Sequence, residues 1–362
     1  MKALAEARMA SKALLLVSVA MIACLAGCET PPPPPPPPLV AAPPPPPVLL
    51  PSKVIELAGA YRAYIDRAAA IDPGFTGGES VATALKIGET YESDQLARGE
   101  TAYAAIVALQ EPTFVASLRA FAYDADGRAQ VANSLMADPY YAATFAGADK
   151  AAGLIIAALT AQGERLTAVG SKVKQAAYDV QHQSWSKADV SDRPGRLALA
   201  KSLSASQQGA AAEDAARLRD AATGTTPMPM SGAPAAPPYT PLVARALAVA
   251  AMAALGEGGE EYSDKLDKLV AESSESSCLH MAKLNLYQCL AVSKPHYEDV
   301  FCLGQHILAD TGQCIVKGAQ VAAVIPPAPV AMTPTAAEDS SGSSKTTTRH
   351  KKKKTVSQKA TG

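Results

Sequence analysis

From residue 52 onward the chain is organised by a three- and four-residue hydrophobic repeat. Val54, Leu57, Ala58, Tyr61, Tyr64, Ile65 and Ala68 fall on that spacing and predict a helix from Ser52, its expected N-cap, to Ile71. Asp72-Pro73-Gly74 and Gly77-Gly78 break it. Further helical stretches are predicted near 79–110, 112–123 and 127–136, with a shorter piece over 196–218. The longest runs from about 149 to 185, where Ile155, Ile156, Leu159, Leu166, Val169, Val173 and Ala177 mark one apolar stripe. No period-two alternation is sustained. The pattern therefore predicts an all-α bundle of five to seven helices over 52–222, held by buried stripes more than by propensity.

Residues 223–241, TGTTPMPMSGAPAAPPYTP, have no periodicity and read as a linker. Helical patterning resumes over 242–255, breaks at Gly256–Gly259 and returns over 262–270. A second helical region is expected over 242–320, and the Pro-, Ser/Thr- and Lys-rich residues 321–362 are expected to be disordered. The front of the chain follows another logic. Lys2, Arg8 and Lys12 precede an apolar run over 13–23, shorter than the roughly 20 residues a membrane span needs. Leu25-Ala26-Gly27-Cys28 follows, then Glu29 and the prolines 31–38, 43–47 and 51. Such prolines form a polyproline II rod rising about 3.1 Å per residue, a reach of about 70 Å from Glu29 to Pro51.

Leu25-Ala26-Gly27-Cys28 resembles the lipobox of bacterial lipoproteins. The resemblance covers the first 28 residues. It implies that residues 1–27 are a signal peptide removed on export, and that Cys28 becomes an N-terminus carrying palmitate-type acyl chains. At ~0.8 kcal/mol per buried CH₂, several chains anchor stably in membrane lipid. Glu29, in place of the aspartate that retains such proteins in the inner membrane, implies the outer membrane, facing the periplasm or the surface. Residues 28–51 then act as a spacer between lipid and fold.

Abundant alanine and an aromatic content of 5% favour helices packed closely through small side chains. Of six cysteines, Cys24 leaves with the signal and Cys28 is the anchor. Four remain, and an even number in an exported chain argues for disulfides. Counting alone permits three pairings. Cys278 and Cys289 lie three turns apart on one helix face, Pro295 marks a turn, and a second helix is expected over 298–309, stopped by Gly312. Both Cys278–Cys314 and Cys289–Cys302 are centred on that turn, so two nested bridges in a helical hairpin are expected. Over these 37 residues the arrangement resembles the twin-cysteine hairpins of some intermembrane-space proteins, with different spacing. The alternative is zinc held by Cys302 and His306 with Cys278 and His280; an oxidising compartment favours the bridges.

The formal net charge of −1 hides a division. Residues 28–344 carry 23 basic and 33 acidic side chains, whereas Lys345, Arg349, Lys351, Lys352, Lys353, Lys354 and Lys359 follow with no acid among them. Such a tail is either a solvated end or an electrostatic contact for an anionic envelope polymer: peptidoglycan, lipopolysaccharide or a secreted polysaccharide. Export makes nucleic acid an unsuitable partner; an envelope protein is the other class.

Motifs for chemistry are weak. Asp310-Thr311-Gly312 matches the aspartic-protease triplet but is expected to end a helix. Ser171-Lys172-Val173-Lys174 fits S-x-x-K without its companion motifs, and reads as a solvated helix face. Asp124-Ala125-Asp126-Gly127 has calcium-loop character but the spacing of a turn. His182 and Trp185 could line a pocket or seal a helix end, and Glu79 and Glu89 are acids of the kind a glycosidase needs. The expectation is a non-enzymatic binding or scaffolding lipoprotein without catalytic residues, cofactor or metal. The alternative is a periplasmic cell-wall or polysaccharide hydrolase, which a pocket with two acids about 5–9.5 Å apart would mark.

Overall fold

The repeats beginning at residue 52 wind into helices. In the computed structural model, which describes residues 44–271 and 273–320, these are α1 (Ser52–Ala69), α2 (Gly78–Glu89), α3 (Ser93–Ala108), α4 (Pro112–Arg119), α5 (Ala125–Ala137), α6 (Ala148–Val180), α7 (Ser184–Lys187), α8 (Arg193–Ser204) and α9 (Ala212–Thr223). They continue with α10 (Pro241–Leu255), α11 (Ser263–Val270), α12 (Ser273–Val292), α13 (His296–Cys302), a π-helical stretch Leu303–Ala309, and α14 (Asp310–Ala319). The described residues contain no β-strand, and no helix among them is long and apolar enough to cross a membrane. Cys28 and the basic residues 345–359 lie outside the described residues.

Among the described residues up to 223, nine α-helices stand where five to seven were expected, because capped breaks divide the longer patterns. Glu92 interrupts 79–110: its carboxylate accepts from the backbone N–H groups of Asp94 and Gln95 and starts α3. Asp192 does the same for α8, accepting from Gly195. Ser52 is not a cap. Pro51 holds that position, and the Ser52 N–H donates to Glu260 at 2.7 Å.

Residues 223–241 do not separate two domains. Apart from Arg245, the residues of α10 from Leu242 to Leu255 are buried, and a helix apolar on every side must be enclosed on every side. It packs on α3, so residues on both sides of the expected linker share one hydrophobic core. The linker crosses that core's surface: Ala235 N–H donates to Asp149 O and Met228 N–H to Gln110 Oε1, both at 2.9 Å. The end of the proline-rich segment is docked too. Leu50 and Pro51 are buried, and the Arg119 guanidinium donates to Pro46 O and Ala254 O.

The 33-residue α6, about 50 Å long, is the spine. Its partner is the single helical run from His296 to Ala319, which Gly312 does not stop. Gly312 serves close packing instead. A Cβ there would sit 2.5 Å from Gly163 O, and one on Gly163 would sit 2.5 Å from Gly312 O. Gly170 and Gly304 make the same reciprocal contact, at 2.7 and 2.8 Å from each other's carbonyl oxygens. Seven residues separate the glycines of α6, and eight separate their partners. The wider π turn takes up the extra residue, so both pairs stay opposite. Two disulfides lock this run to α12: Cys278–Cys314 and Cys289–Cys302, each with Cα atoms 5.7 Å apart. A bridge of this kind stabilises by roughly 2–4 kcal/mol, less jointly because the loops are nested.

Gly312→Ala or Gly163→Ala drives a methyl group into backbone and should cost about 1–3 kcal/mol. Gly209→Ala, where no atom lies within 4 Å, is the control. Thermal unfolding followed by circular dichroism measures all three; equal midpoints would show that the seam is not tight.

Candidate functional site

Lys283 stands on the buried stripe of α12 with Leu279, Leu286 and Leu290, and is 3% exposed. A cation there must find polar partners. Its ammonium donates to the carbonyl oxygen of Glu89 at 2.6 Å and to Ser204 Oγ at 2.9 Å, and lies 3.6 Å from the centre of the Tyr91 ring. Glu89 and Ser204 are the last residues of α2 and α8. Lys283 therefore meets the carbonyl end of α2, a side-chain hydroxyl at the end of α8 and one aromatic face. Burial pushes it down to about 7, against the opposing pull of Glu89 and Glu92.

Arginines on α8 return the arrangement to α12. Arg193 donates to the carbonyls of Ala291, Val292 and Ser293, and Arg196 to those of Leu290 and Ser293. Arg196 also pairs with Asp299 of α13, whose carboxylate accepts from Ser293 Oγ at 2.7 Å. Burial raises the Asp299 carboxyl, opposed by the Ser293 hydroxyl and Arg196.

Between these clusters α2, α8 and α13 leave a cavity of about 260 Å³. Val81, Leu85, Val190 and Leu199 form apolar walls, and Glu89, Arg196 and Asp299 form a polar floor. His296 fills one side, its ring 2.5 Å from where a Cβ on Gly78 would stand. The exposed Ala82, Lys86 and Leu199 mark the mouth. Glu89 is 2% exposed, and neither its Oε1 nor the Nε of Arg196 has a hydrogen-bond partner among the protein atoms. Burial pushes the Glu89 carboxyl up to about 8; Asp299 adds to the rise, and Lys283 and Arg196 oppose it. Both atoms are shut away from solvent, so the cavity is bounded by these two residues without either atom being open to it.

Of the residues that sequence singled out, Glu89 alone lines this cavity. Glu79 is exposed on the first turn of α2. His182 is exposed, and the Trp185 ring faces His296 instead, 6.5 Å away. Asp124 caps α5, accepting from Asp126 and Gly127 N–H. Ser171 is exposed and donates to Thr167 O, while Lys174 donates to Gln305 at 2.9 Å. Asp310, Thr311 and Gly312 lie inside the helical run, not at its end. Asp310 meets His306 at 2.8 Å, and Thr311 meets the Tyr91 hydroxyl at 3.1 Å. The sulfurs of Cys278 and Cys302 are in bridges and cannot serve as thiolate ligands, and no cluster of metal-ligating side chains occurs among the described residues.

Sequence reasoning missed Lys283, Ser204, Arg196 and Asp299. Two signals were present. Lys283 interrupts an apolar stripe, and Arg193 and Arg196 occupy the first turn of a helix, where the dipole disfavours cations. Ser204 and Lys283 have the spacing of a nucleophile and its base. However, the Ser204 hydroxyl is buried, Ser204 does not line the cavity, and Lys283 is held by the Glu89 carbonyl. Capping is the role this geometry supports.

The proton balance gives a test. Glu89 is protonated in the fold up to about pH 8 but ionises near 4.5 when unfolded. Its contribution is therefore full below 4.5 and lost as pH rises through 8. Lys283 titrates at about 7 in the fold against 10.5 unfolded, so its contribution is full above 10.5 and lost as pH falls through 7. The two losses overlap between pH 7 and 8, where stability passes through a minimum. Glu89→Gln should flatten the fall between pH 5 and 8 and raise the midpoint at pH 8 by several degrees in thermal unfolding. Parallel curves for variant and native chain would refute a titrating Glu89. No family model, curated protein or solved structure matches the chain, and the functional reading rests on the site itself.

Proposed function

We propose that this chain is a non-enzymatic, membrane-anchored binding lipoprotein of the bacterial envelope, whose helical body holds a small ligand in the cavity between α2, α8 and α13. The observation that carries this reading is the cavity itself, in which the polar residues Glu89, Arg196 and Asp299 stand below the aliphatic walls of Val81, Leu85, Val190 and Leu199. Cys28 supplies the lipid anchor on the outer membrane, and the prolines that follow supply the spacer. With Pro44 to Pro51 held on the body, the rod between Glu29 and Pro43 would span about 45 Å.

The hydrolase reading draws on the same cavity, since Glu89 and Asp299 both line it. Two features weigh against it. The Asp299 carboxylate is engaged by Arg196 and Ser293, and 260 Å³ does not admit a polymer across two acids. Protein purified from envelopes should release a small molecule on denaturation that Leu199→Trp, filling the mouth, no longer retains. Cleavage of peptidoglycan or polysaccharide by the native chain, abolished in Glu89→Gln, would overturn binding in favour of hydrolysis.

The tail completes the proposal. Lys345, Arg349, Lys351, Lys352, Lys353, Lys354 and Lys359 hold an anionic envelope polymer while Cys28 holds the lipid. Cys28→Ser should lose acyl labelling and accumulate as an uncut precursor. Co-sedimentation with purified cell wall should fall when residues 340–362 are deleted and when salt is raised, because exposed charges are screened within ~8 Å at physiological ionic strength. Sedimentation indifferent to the deletion would reduce the tail to a solubilising end.

A further inference from the structure

The strap joins the body beside a group of exposed apolar side chains. Arg119, the last residue of α4, donates to Pro46 O. Phe121 and Tyr123 follow it in the loop to α5, 42% and 61% exposed, on either side of the buried Ala122. Arg128 holds that loop, donating to Ala122 O and pairing with Glu257. Gly256 and Gly258 flank Glu257 and pack on the strap. A Cβ on the first would sit 2.5 Å from the Pro46 ring, and one on the second 2.1 Å from Leu49 O. Leu49 is itself 41% exposed. Behind the group, the half-buried Phe145 stands edge-on to Phe121 at 5.8 Å and to Tyr141 at 5.5 Å. Arg119 and Arg128 thus tie Phe121, Tyr123 and Leu49 into one neighbourhood.

A single exposed apolar residue needs no explanation, but a group of them marks a contact surface. Phenylalanine and tyrosine rings suit the headgroup level of a bilayer, where an apolar body and a polar tip are both satisfied. Charge narrows the choice of lipid. Arg119 and Arg128 are engaged by backbone carbonyls and Glu257, while Asp124 and Asp126 stand exposed beside Tyr123. Rings, not anionic headgroups, would draw such a face to a membrane. Position favours lipid as the occupant, because the residues before Pro44 lead from this end of the body back to Cys28. Tyr178 and Val292, also exposed, stand toward the far end of α6, away from the strap.

Resting on the reading of Cys28 as a lipid anchor, we propose that Phe121, Tyr123 and Leu49 form the face on which the body rests against a zwitterionic lipid surface. The tether makes that contact intramolecular, so a weak face is enough.

The test uses the mature chain with Cys28→Ser, which carries no acyl anchor, floated with phosphatidylcholine vesicles. These vesicles have no net charge for the basic residues 345–359 to capture. Phe121→Ser, Tyr123→Ser and Leu49→Ser together should lower the partition coefficient at least about tenfold. Tyr178→Ser with Val292→Ser, at the far end, should leave it unchanged. Far-UV circular dichroism checks folding. Tyr123→Ser alone should cost about threefold and Tyr123→Trp should strengthen binding, so the outcome does not hang on the triple variant. Binding should survive high salt. The face is rejected if the chain does not bind, if the Tyr123 variants change nothing, or if the far-end pair matters as much. A dimer in sedimentation velocity that Tyr123→Ser dissociates, without vesicle binding, would assign the face to a second copy instead. Acyl labelling of Cys28 reads the anchor separately. A labelled native chain whose Cys28→Ser form ignores vesicles keeps the anchor and loses the face; an unlabelled chain that still binds them keeps the face and loses the anchor.

Discussion

An α-helix ends in carbonyls without intrahelical partners, and in a body of many short helices around one core those ends meet protein before water. This chain meets the constraint with long cations reaching from neighbouring helices. Lys283 serves α2 and α8, and Arg193 and Arg196 serve α12. Arg119 reaches Ala254 at the end of α10, and Arg245 reaches Lys268 and Leu269 at the end of α11. The cavity is a by-product of two of these caps. Lys283 pins the last residue of α2, so the Glu89 side chain is held at a buried position, and Arg196 reaches α12 while exposing its Nε to nothing. A buried ammonium is costly, but removing it would take one donor from the Glu89 carbonyl at the end of α2 and the partner of the Ser204 hydroxyl at the end of α8.

Those caps require α12, α13 and α14 to stay in register, and alanine-rich packing alone would not fix it. Helices that touch through small side chains bury little area per contact, and can slide at lower cost than interlocked large ones. The glycine pairs Gly163–Gly312 and Gly170–Gly304 choose one register for α6 by backbone contact. The bridges choose one for α12. Asp299 and Lys283 come from the two arms of the stapled hairpin, so the bridges also set the separation between the charge that holds Arg196 and the charge that holds Glu89. Fold constraint and site geometry are here the same constraint.

How much of this could be read in advance follows from the range of each interaction. The helical class was legible because periodicity is local, and the hairpin was legible because its symmetry lies within 37 residues. The apparent linker misled because proline and glycine report only local backbone freedom. That residues 223–241 lie across a core depends on α10, whose all-round apolarity demands enclosure on every side. Gly312 misled for a related reason: a glycine after a helical pattern reads as a stop, and only the approach of α6, some 150 residues earlier, makes it a packing position. The site was least legible. Glu89, Arg196, Lys283 and Asp299 come from four helices, and no local pattern joins them.

The spine gives the body two ends, and the features divide between them. At the start of α6, Gly147 packs against Thr113 and Phe114 of α4, and α4 ends in Arg119, which holds the strap at Pro46. At the other end, Lys174 and Tyr178 meet Gln305 and Phe301, next to the α13 that floors the cavity. Some 25 residues of helix, nearly 40 Å, separate the two. Under the proposed anchoring, the lipid tether enters at one end of the spine and the cavity lies toward the other. Binding there need not compete with the membrane for the same face. The last described residue, Gln320, bonds to Thr160 at 2.7 Å, between the two ends.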